Sequence, residues 1–312
     1  MKFKKPKFWD FNKPNWIAYL LTPLTIPIRI NNYLLNLKTK KYPSKIFTIC
    51  VGNIYVGGTG KTPTTIKLYK ILNKLNFRVF VGKKFYADHI DEQIILKKKT
   101  NLISSNDRSK IIEKIKNRTG VVIFDDGLQD KNLTYDLKFV CFDGIKWTGN
   151  GLLLPSGPLR ENLDSLKKYD GIFLKNYENF SLKIIKKINP KIKIFFTNYK
   201  IINLNKFKLS ERYVIFSAIG NPSDFKNILI KNKFSIIHEV VYPDHYNFST
   251  KDIRKIKKIA FNLDAKIITT EKDYVKIPSS EKKNINFIKI DLKIKNEKLL
   301  VKYIKSKLND KY

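Results

Sequence analysis

A glycine-rich loop that directly follows an apolar run constrains this chain more than any other feature. The apolar run covers residues 46–51, and the loop leads into a segment with apolar residues at helical spacing. Small residues let backbone N–H groups approach phosphate oxygens, a lysine can reach the β- and γ-phosphates, and a threonine hydroxyl can ligate Mg²⁺. The residues predicted to bind a nucleotide are Gly57, Gly58, Thr59, Gly60, Lys61 and Thr62.

The loop departs from the strict Walker pattern at one position. That pattern expects glycine five residues before Gly60, where this chain has Tyr55. A glycine-rich turn without a ligand is therefore the alternative interpretation. The preceding apolar run, Pro63 in the first helical turn and the amphipathic segment that follows favour phosphate binding.

A second apolar run ends in two carboxylates. Residues 121–124 are apolar, and Asp125, Asp126 and Gly127 follow them. Carboxylates at the carboxyl end of a buried strand lie beside the phosphate loop of a parallel α/β sheet, where they can hold Mg²⁺ directly or through water. A turn built on Asp-Gly is the alternative. The preceding phosphate loop favours the metal-binding interpretation.

Several further motifs carry a family resemblance. They are Phe8-Trp9, Asp91-Glu92, Leu128-Gln129, Asp143-Gly144, the residues of segment 149–161, Gly220-Asn221-Pro222, Pro243-Asp244-His245 and the residues of segment 269–273. Together with the phosphate loop and the two aspartates, they closely resemble the tetraacyldisaccharide 4′-kinase family of lipid A synthesis. The resemblance covers nearly the whole chain in order, and the family's phosphate loop also lacks the first Walker glycine.

Length and cysteine content limit the class of protein. The 312 residues are enough for two compact domains, and a hydrophobic fraction of 43% excludes a disordered chain. Cys50 and Cys141 are the only cysteines, and both lie in apolar runs. A disulfide framework is therefore excluded, and we expect buried thiols in a reducing cytoplasm.

The charge balance is strongly basic. Lys and Arg total 62 against 27 Asp and Glu, which gives a formal net charge of +35. In isolation this excess would indicate a nucleic acid or an anionic membrane as partner. The lysines are spread along the chain, and no recognised nucleic-acid motif accompanies them. We therefore expect a solvated surface with affinity for anionic lipid headgroups and no nucleic-acid partner.

The N-terminal segment combines a basic start with an apolar stretch. Lys2, Lys4, Lys5 and Lys7 precede an apolar stretch that begins at residue 16 and ends before residue 29. The stretch is shorter than the roughly 20 residues of a spanning helix, contains two prolines and lacks a small-residue cleavage site. A soluble docking helix and an interfacial membrane anchor both fit it. The resemblance implies a membrane-associated helix within residues 1–30.

The remaining pattern predicts an α/β fold. Short apolar runs alternate with helical segments, without repeats or long structureless gaps. We predict a P-loop NTPase-like kinase core with a mostly parallel sheet over residues 31–200. A smaller C-terminal α/β domain covers residues 201–312 and ends in a docking helix. The boundary is expected in the polar, lysine-rich stretch 198–210.

The attacking hydroxyl of a phosphoryl transfer needs a group that takes its proton. Of the three histidines, His245 lies in a loop just past a predicted strand, but a lone loop histidine is more often a surface residue. The resemblance implies that His245 pairs with Asp91, and that these two catalytic residues activate a sugar hydroxyl. Because Asp91 and His245 fall in different predicted domains, closure of the domains would assemble the pair.

The chain departs from the family pattern around this carboxylate. Ile90 and Gln93 replace a glycine and a proline, and residues 82–86 replace an Arg-Gly-Tyr-Gly loop. Asp88 is therefore an alternative partner for the histidine. Asp130 stands where the family has histidine, so one contact near the predicted site has changed.

Arg160 and Glu161 complete the predicted site. A Gly-Pro-Leu-Arg-Glu segment is ordinarily a turn that enters a helix. The resemblance implies instead that Arg160 contacts the transferred phosphate and that Glu161 joins Thr62 and the two aspartates as a magnesium ligand. A bidentate cation and a hard oxygen ligand suit these roles.

Taken together, the resemblance implies an ATP- and Mg²⁺-dependent kinase. It would phosphorylate the 4′-hydroxyl of tetraacyldisaccharide 1-phosphate, a lipid A disaccharide precursor, at the cytoplasmic face of the bacterial inner membrane. It implies no nucleic acid and no obligate protein partner. A P-loop ATPase or GTPase switch and a nucleic-acid-stimulated ATPase are the alternatives. The guanine-reading motif of the switch class does not fit, since Lys272 and Asp273 are adjacent.

Overall fold

A computed structural model describes most of the chain and divides it into two compact units. The described residues are 5–27, 30, 44–86, 90–115, 120–130 and 132–311. The large unit contains the described residues of Lys5–Tyr86, Lys99–Asn198 and Ile294–Tyr312. The small unit contains those of Ala87–Lys98 and Tyr199–Lys293.

The strands lie in two sheets. In chain order they are β1 (Phe47–Gly52), β2 (Val79–Lys84), β3 (Leu102–Ser105), β4 (Val121–Asp125), β5 (Leu137–Asp143), β6 (Gly171–Lys175), β7 (Lys193–Ile201), β8 (Arg212–Ser217), β9 (Ser235–Val241), β10 (Lys266–Thr270), β11 (Ile285–Ile288) and β12 (Ile290–Ile294). Among the described residues, one sheet has the order β12-β7-β6-β5-β1-β4-β2-β3 and the other the order β11-β10-β8-β9. The pairings among β1 to β7 and among β8 to β11 are parallel.

The helices separate the strands. They are α1 (Trp16–Leu21), α2 (Lys61–Lys74), α3 (Ile90–Lys99), α4 (Arg108–Ile115), α5 (Asn179–Ile188), α6 (Pro222–Lys231), α7 (Thr250–Asn262), α8 (Glu271–Tyr274) and α9 (Glu297–Asn309). Parallel strands require crossover connections, which these helices supply. The α/β prediction and the mostly parallel sheet are confirmed.

Apolar side chains fill each unit separately. Every residue of β1 and β4 is buried, as expected for central strands of a parallel sheet covered on both faces. In the small unit, β8 contributes Val214 and Phe216 to one buried cluster and Tyr213 and Ile215 to another. Alternate residues of this strand therefore face the two sides of its sheet. Cys50 and Cys141 are buried free thiols, and burial raises the pKa of Cys141 to about 12.

Two parts of the chain group differently from the sequence-based division. Helix α3, expected in the kinase core, belongs up to Lys98 to the small unit. Its Asp91 lies 3.0 Å from His245 and 3.6 Å from the Lys276 ammonium, both within that unit. The terminal helix α9, expected in the C-terminal domain, belongs to the large unit. There Glu297 forms an ion pair of 2.8 Å with Lys67 of α2. In both cases, the helix contacts residues that lie far from it along the chain.

The N-terminal segment has one docked part and one exposed part. Trp9 is 3% exposed, and its indole N–H donates to the Pro155 carbonyl at 3.1 Å. Helix α1 follows, and Trp16 and Leu20 on it are 73% and 69% exposed. Within the described residues, no helix combines the length and the apolar character that crossing a bilayer requires. Lys2, Lys4 and Arg29 lie outside the described residues.

Candidate active site

The phosphate loop connects β1 to α2. Gly60 is the residue before the helix, with φ of 92°, and Gly57 has φ of 130°. Both values lie in the region that glycine adopts without a Cβ clash, which explains glycine at these two positions. The helix begins at Lys61, so its N-terminal N–H groups face the loop, as in known phosphate sites.

The side chain of Asn53 holds the loop from inside. Asn53 is fully buried, and its amide nitrogen lies 2.5 Å from the Tyr55 carbonyl, 3.3 Å from the Gly57 carbonyl and 3.0 Å from the Thr59 hydroxyl. The backbone carbonyl of Asn53 in turn accepts a hydrogen bond of 3.0 Å from Gln129. The loop conformation is thus set by buried hydrogen bonds. Removing one partner would leave the other buried and unsatisfied, which would destabilise the loop.

Tyr55 occupies the position of the missing Walker glycine. It forms a β-bridge with Leu159. On either side, the Val56 N–H donates to the Pro158 carbonyl at 2.8 Å, and the Arg160 N–H donates to the Ile54 carbonyl at 2.7 Å. The backbone here is paired and extended, and Tyr55 has no positive φ, so glycine is not required. This pairing also fixes Arg160 beside the loop.

Asp125 ends β4 beside the phosphate loop, as predicted. Its carboxylate is fully buried and accepts hydrogen bonds from Thr62 at 3.2 Å and Thr65 at 3.1 Å. Lys83, at the register-matched position of β2, forms a buried ion pair of 2.6 Å with it. A buried carboxylate requires such partners, because desolvation without them is costly.

Asp126 forms ion pairs with the two cations of the predicted phosphate site. Its Oδ2 lies 3.5 Å from the Lys61 ammonium, and its Oδ1 lies 3.0 Å from the Arg160 guanidinium. Burial alone would raise the pKa of Asp126, but the charges of Lys61, Arg160 and Lys83 outweigh it and lower the pKa. The φ of Asp126 is 58°, a left-handed conformation that aspartate adopts more readily than most residues.

Glu161 is held beside the same group. Its Oε1 accepts hydrogen bonds from Gln129 at 2.8 Å and from the Tyr169 hydroxyl at 2.9 Å, while Oε2 takes part in neither. The Gln129 carbonyl oxygen accepts from Arg160 at 3.2 Å. Gln129 therefore links the predicted phosphate-binding arginine to the predicted metal ligand.

The donor set is suitable for Mg²⁺ shared with phosphate. The predicted ligands Thr62, Asp125, Asp126 and Glu161 offer hydroxyl and carboxylate oxygens, which Mg²⁺ prefers. The described residues contain no cluster of three or more acidic, histidine or cysteine side chains that would enclose a metal alone. Mg²⁺ in kinases is usually held by one or two carboxylates together with substrate phosphates, so the residues fit the ion.

The departure at Asp130 is compensated by Arg108. This arginine is 5% exposed and forms an ion pair of 2.7 Å with the Asp130 carboxylate. Its other terminal nitrogen donates to the backbone carbonyl of Asp126. The pair therefore holds the turn that carries Asp126, a contact that the sequence interpretation missed.

Asp91 and His245 form a close pair in the small unit. Asp91 lies in the first turn of α3, and His245 lies in the loop after β9. The imidazole Nδ1 is 3.0 Å from Asp91 Oδ1, and Asp91 is 3% exposed. The two residues were expected in different domains. Since both belong to one unit, no closure of domains is needed to bring them together.

The surroundings of Asp91 favour its charged form. Burial alone would raise the pKa of this carboxyl, but the hydrogen bond with His245 and the charges of Lys272, His245 and Lys276 lower it to about 2. Asp91 is therefore ionised throughout the physiological pH range. The alternative Asp88 lies outside the described residues, as does His89, and His238 is exposed on β9.

The sequence interpretation missed three cations near the predicted groups. They are Lys83 beside Asp125, Arg108 beside Asp130 and Lys272 beside His245. Lysines are so frequent in this chain that their positions alone carried no signal. Lys272 lies inside the segment 269–273 that contributed to the resemblance, and this was the only available indication.

The fold and the first site together define a class of protein. A parallel sheet, a glycine-rich loop between its central strand and a helix, and a carboxylate at the end of the adjacent strand are the features of a P-loop nucleotide-binding protein.

Comparisons with known proteins identify the family within this class. The sequence model of the family described as tetraacyldisaccharide-1-P 4′-kinase matches residues 16–90 and 86–309. The tetraacyldisaccharide 4′-kinase of Pelagibacter ubique (strain HTCC1062) is 46% identical over 315 residues, which is 100% of each chain. That of Rickettsia typhi (strain ATCC VR-144 / Wilmington) is 33% identical over 96% of this chain and 97% of its own. This chain belongs to the tetraacyldisaccharide 4′-kinase family, as the sequence motifs predicted.

A solved structure agrees with the fold. The crystal structure of LpxK from Aquifex aeolicus in complex with ATP matches with a TM-score of 0.69 and 21% identity. The match covers 93% of this chain and 99% of that chain. The α/β fold prediction is therefore confirmed over nearly the whole length.

Proposed function

We propose that this protein transfers the γ-phosphoryl group of ATP to the 4′-hydroxyl of tetraacyldisaccharide 1-phosphate, which yields the lipid A precursor lipid IVA. The family match supplies the reaction. The structural observation that carries the proposal is the convergence of Lys61 and Arg160 on the Asp126 carboxylate beside the phosphate loop. Two cations held around one anion at this point suit the charge that develops on a transferring phosphoryl group.

The phosphate-binding roles follow from position. The backbone N–H groups of residues 57–62 and the Lys61 ammonium would bind the β- and γ-phosphates. Arg160, fixed beside the loop by its backbone bond to Ile54, would bind the γ-phosphoryl oxygens. Phosphate oxygens would then compete with Asp126 for these two cations, which would leave its carboxylate able to face a metal ion.

A magnesium ion would be held by Thr62, Asp125, Asp126 and Glu161, directly or through water. When bound, it would neutralise charge on the β- and γ-phosphates. Asp125 is also bonded to Lys83 and to two threonines, so its share of the coordination would most readily pass through water or the Thr62 hydroxyl. Glu161 would contribute Oε2, the oxygen that takes part in neither of the hydrogen bonds to Gln129 and Tyr169.

The base of the reaction would be the pair of Asp91 and His245. The pair would take the proton of the 4′-hydroxyl while its oxygen forms a bond to the γ-phosphorus and the bond from that phosphorus to ADP breaks. A carboxylate with a pKa of about 2 is a weak base by itself. It is suited to orienting the imidazole and to stabilising the imidazolium that forms.

The lipid substrate would be met at a membrane surface. Large apolar side chains on the N-terminal segment, including Trp16, Leu20 and Leu24, are more than half exposed. Together with the net charge of +35, they would support binding to an anionic bilayer at the cytoplasmic face of the inner membrane. The acyl chains would remain in the bilayer while the sugar is phosphorylated.

A transfer assay tests this function. Purified protein, labelled ATP and tetraacyldisaccharide 1-phosphate in vesicles should yield a product whose new phosphate is on the 4′ oxygen, as located by ³¹P–¹H correlation. Lys61→Ala should lower turnover by about 10²- to 10³-fold, since it removes one preorganised donor. Lys70→Ala, an exposed lysine on the same helix, is the matched control and should behave as wild type.

Other outcomes separate the alternatives. ATP hydrolysis that rises with DNA or RNA, with no labelled lipid formed, would instead identify a nucleic-acid-stimulated ATPase. Hydrolysis without any phosphorylated acceptor would identify a switch-type ATPase. Near-normal transfer by Lys61→Ala would contradict the assignment of the phosphate loop.

A further inference from the structure

The short helix α8 is fixed to the end of β8 by a buried aspartate. Asp273 is fully buried, and its Oδ2 accepts hydrogen bonds from the Ala218 N–H at 3.0 Å and from the Thr270 hydroxyl at 2.8 Å. The Thr270 hydroxyl caps the helix by accepting from the Asp273 N–H at 3.0 Å. These contacts explain the threonine and the aspartate of the segment 269–273, but not its lysine.

The lysine of this segment, Lys272, faces the predicted base. Its Nζ lies 3.3 Å from His245 Nε2 and 3.3 Å from Asp244 Oδ1. Glu92 Oε1 is 3.4 Å from it, and Asp91 Oδ2 is 3.7 Å away. Among the described residues, this ammonium is therefore placed between one imidazole and three carboxylates. The ring nitrogen opposite Asp91 has this ammonium at 3.3 Å and the Asp244 and Glu92 carboxylates at 3.7 Å and 3.9 Å.

A second lysine lies close to the carboxylate but contacts other groups. Lys276 Nζ is 2.8 Å from Asp273 Oδ1 and 3.6 Å from Asp91 Oδ2, and it is 3.3 Å from the Ala218 carbonyl. Its ion pairs are with the carboxylates of Asp273 and Asp91. The two lysines thus share Asp91 but differ in their relation to His245.

The contact of Lys272 restricts the protonation of the imidazole. An ammonium group has only donors, so the ring nitrogen that it approaches within hydrogen-bonding distance must act as an acceptor. In this arrangement His245 Nε2 would carry the lone pair and Nδ1 would carry the proton. The Nδ1–H then donates to Asp91 Oδ1, which is 3.0 Å away. Both contacts are satisfied by one neutral tautomer.

We propose that Lys272 is a positioning residue that holds His245 in the neutral Nδ1–H tautomer, with Nε2 as the proton acceptor. The effect of this tautomer on catalysis rests on the proposed kinase function, whereas the tautomer itself does not. With Lys272 removed, the Asp244 and Glu92 carboxylates beside Nε2 can only accept hydrogen bonds, so they would favour a proton on that nitrogen. The charge of Lys272 offsets those carboxylates at the nitrogen where the proton must arrive.

The proton then follows a balanced path. The 4′-hydroxyl of the acceptor would replace the Lys272 ammonium as the donor to Nε2, and its proton would pass to that nitrogen. The hydroxyl oxygen forms its bond to the γ-phosphorus, and ADP leaves with the electrons of the broken bond. His245 becomes an imidazolium that Asp91 stabilises, and it later loses the proton to solvent.

Histidine ¹⁵N spectroscopy of the full chain tests the tautomer directly. The chain has three histidines, so spectra of His245→Gln and His238→Gln assign the signals. At pH 7.5, wild-type His245 should show a protonated Nδ1 and a bare Nε2. Lys272→Met should add a proton to Nε2, while Lys272→Arg should keep the neutral tautomer because the guanidinium retains the charge and the donors.

Two controls isolate the effect of Lys272. Lys276→Met removes a charge near Asp91 without removing the partner of Nε2, so the Nδ1–H tautomer should persist. Lys266→Met removes an exposed lysine of the same unit and should leave both the spectrum and turnover unchanged. Thermal melts of all the variants establish that each is folded.

Kinetics complete the test. Lys272→Met should lower kcat by about 10- to 100-fold with nucleotide affinity unchanged, and Lys272→Arg should recover most of the loss. A wild-type His245 that is doubly protonated or carries its proton on Nε2, or a Lys272→Met protein that keeps the wild-type tautomer, would overturn the proposal. Full transfer activity in His245→Gln would instead refute the proposed base and leave the tautomer result standing.

Discussion

The pair of Asp91 and His245 gives the sharpest kinetic prediction. General acid–base catalysis by a positioned group contributes about 10²- to 10⁴-fold, and a loss of 10³ corresponds to about 4 kcal/mol. The pair is joined by one contact of 3.0 Å, so removal of either partner leaves the other without its role. We expect Asp91→Ala and His245→Ala each to lower kcat by about 10³-fold. The double variant should be scarcely worse than either single variant, because the two residues act as a unit.

The assay needs turnover and nucleotide affinity for wild type, the two single variants and the double variant. Steady-state lipid phosphorylation gives kcat, and calorimetric titration with a non-hydrolysable ATP analogue gives the dissociation constant. The latter should stay within about 2-fold of wild type, since the predicted nucleotide contacts belong to other residues. His238→Ala, which removes an exposed histidine of the same unit, should have normal turnover. Losses that multiply in the double variant would show that the two residues act independently and would refute the reasoning.

Three further predictions follow from particular contacts. The lowered pKa of Asp91, about 2 against an ordinary 3.8, means that its charge stabilises the fold above about pH 4 and that this contribution is lost as the pH falls toward 2. Asp91→Asn should therefore lower the free energy of unfolding in urea by about 2 kcal/mol at pH 7, and the difference should shrink in acid; a constant difference would contradict it. Arg108→Gln should destabilise by about 3 kcal/mol because it leaves the Asp130 carboxylate, which is only 12% exposed, without its cation. Asp130→Asn on the same chain should recover part of the loss, whereas additive losses in melts would argue against the pair. Trp16→Glu with Leu20→Glu should reduce sedimentation with anionic vesicles while soluble ATP binding stays normal, and unchanged sedimentation would place the membrane contact elsewhere.

The design of the membrane test follows from the structure of the N-terminal segment. Deletion of residues 1–30 would also remove Trp9, whose carbonyl accepts the Asn150 N–H at 3.0 Å and whose indole bonds to Pro155. It would remove Lys5 and Asp10 as well, which both hydrogen-bond the Tyr55 hydroxyl at the phosphate loop. A loss of activity after such a deletion would therefore not report on the membrane. Point changes on the exposed part of the segment avoid this ambiguity.

Local patterns were enough to predict the elements that carry the phosphate site. A continuous apolar run marks a buried parallel strand, and glycine marks positions of positive φ, so β1, the loop and the start of α2 were readable from adjacent residues. Helix α7 likewise begins at a local signal, the capping box formed by Ser249 and Asp252. Signals of this kind depend on neighbours along the chain.

The grouping of elements depended on contacts that no local pattern reports. Helix α3 was assigned by its place in the sequence to the kinase core, yet its Asp91 is paired with residues more than 150 positions later. The terminal helix α9 was assigned with the preceding domain, yet Lys311, two residues after its end, forms an ion pair of 2.7 Å with Asp136 of the large unit. Apolar periodicity predicts that a helix has a buried face but not which sheet covers it.

The cations near the phosphate site and near the Asp91–His245 pair also could not have been identified from the sequence. In a chain with 62 basic residues, one lysine differs from another only in what surrounds it. Lys83 is 3% exposed beside Asp125, and Lys272 lies within 4 Å of an imidazole and three carboxylates. Lys266 and Lys70, by contrast, lie at the surface. A cation in solvent contributes little to any single partner because water screens its charge, while a partly or fully buried one acts strongly over 3 to 4 Å. The lysines that we propose to act in this protein are therefore those held beside carboxylates and away from solvent, and for that reason Lys70→Ala and Lys266→Met are informative controls for Lys61→Ala and Lys272→Met.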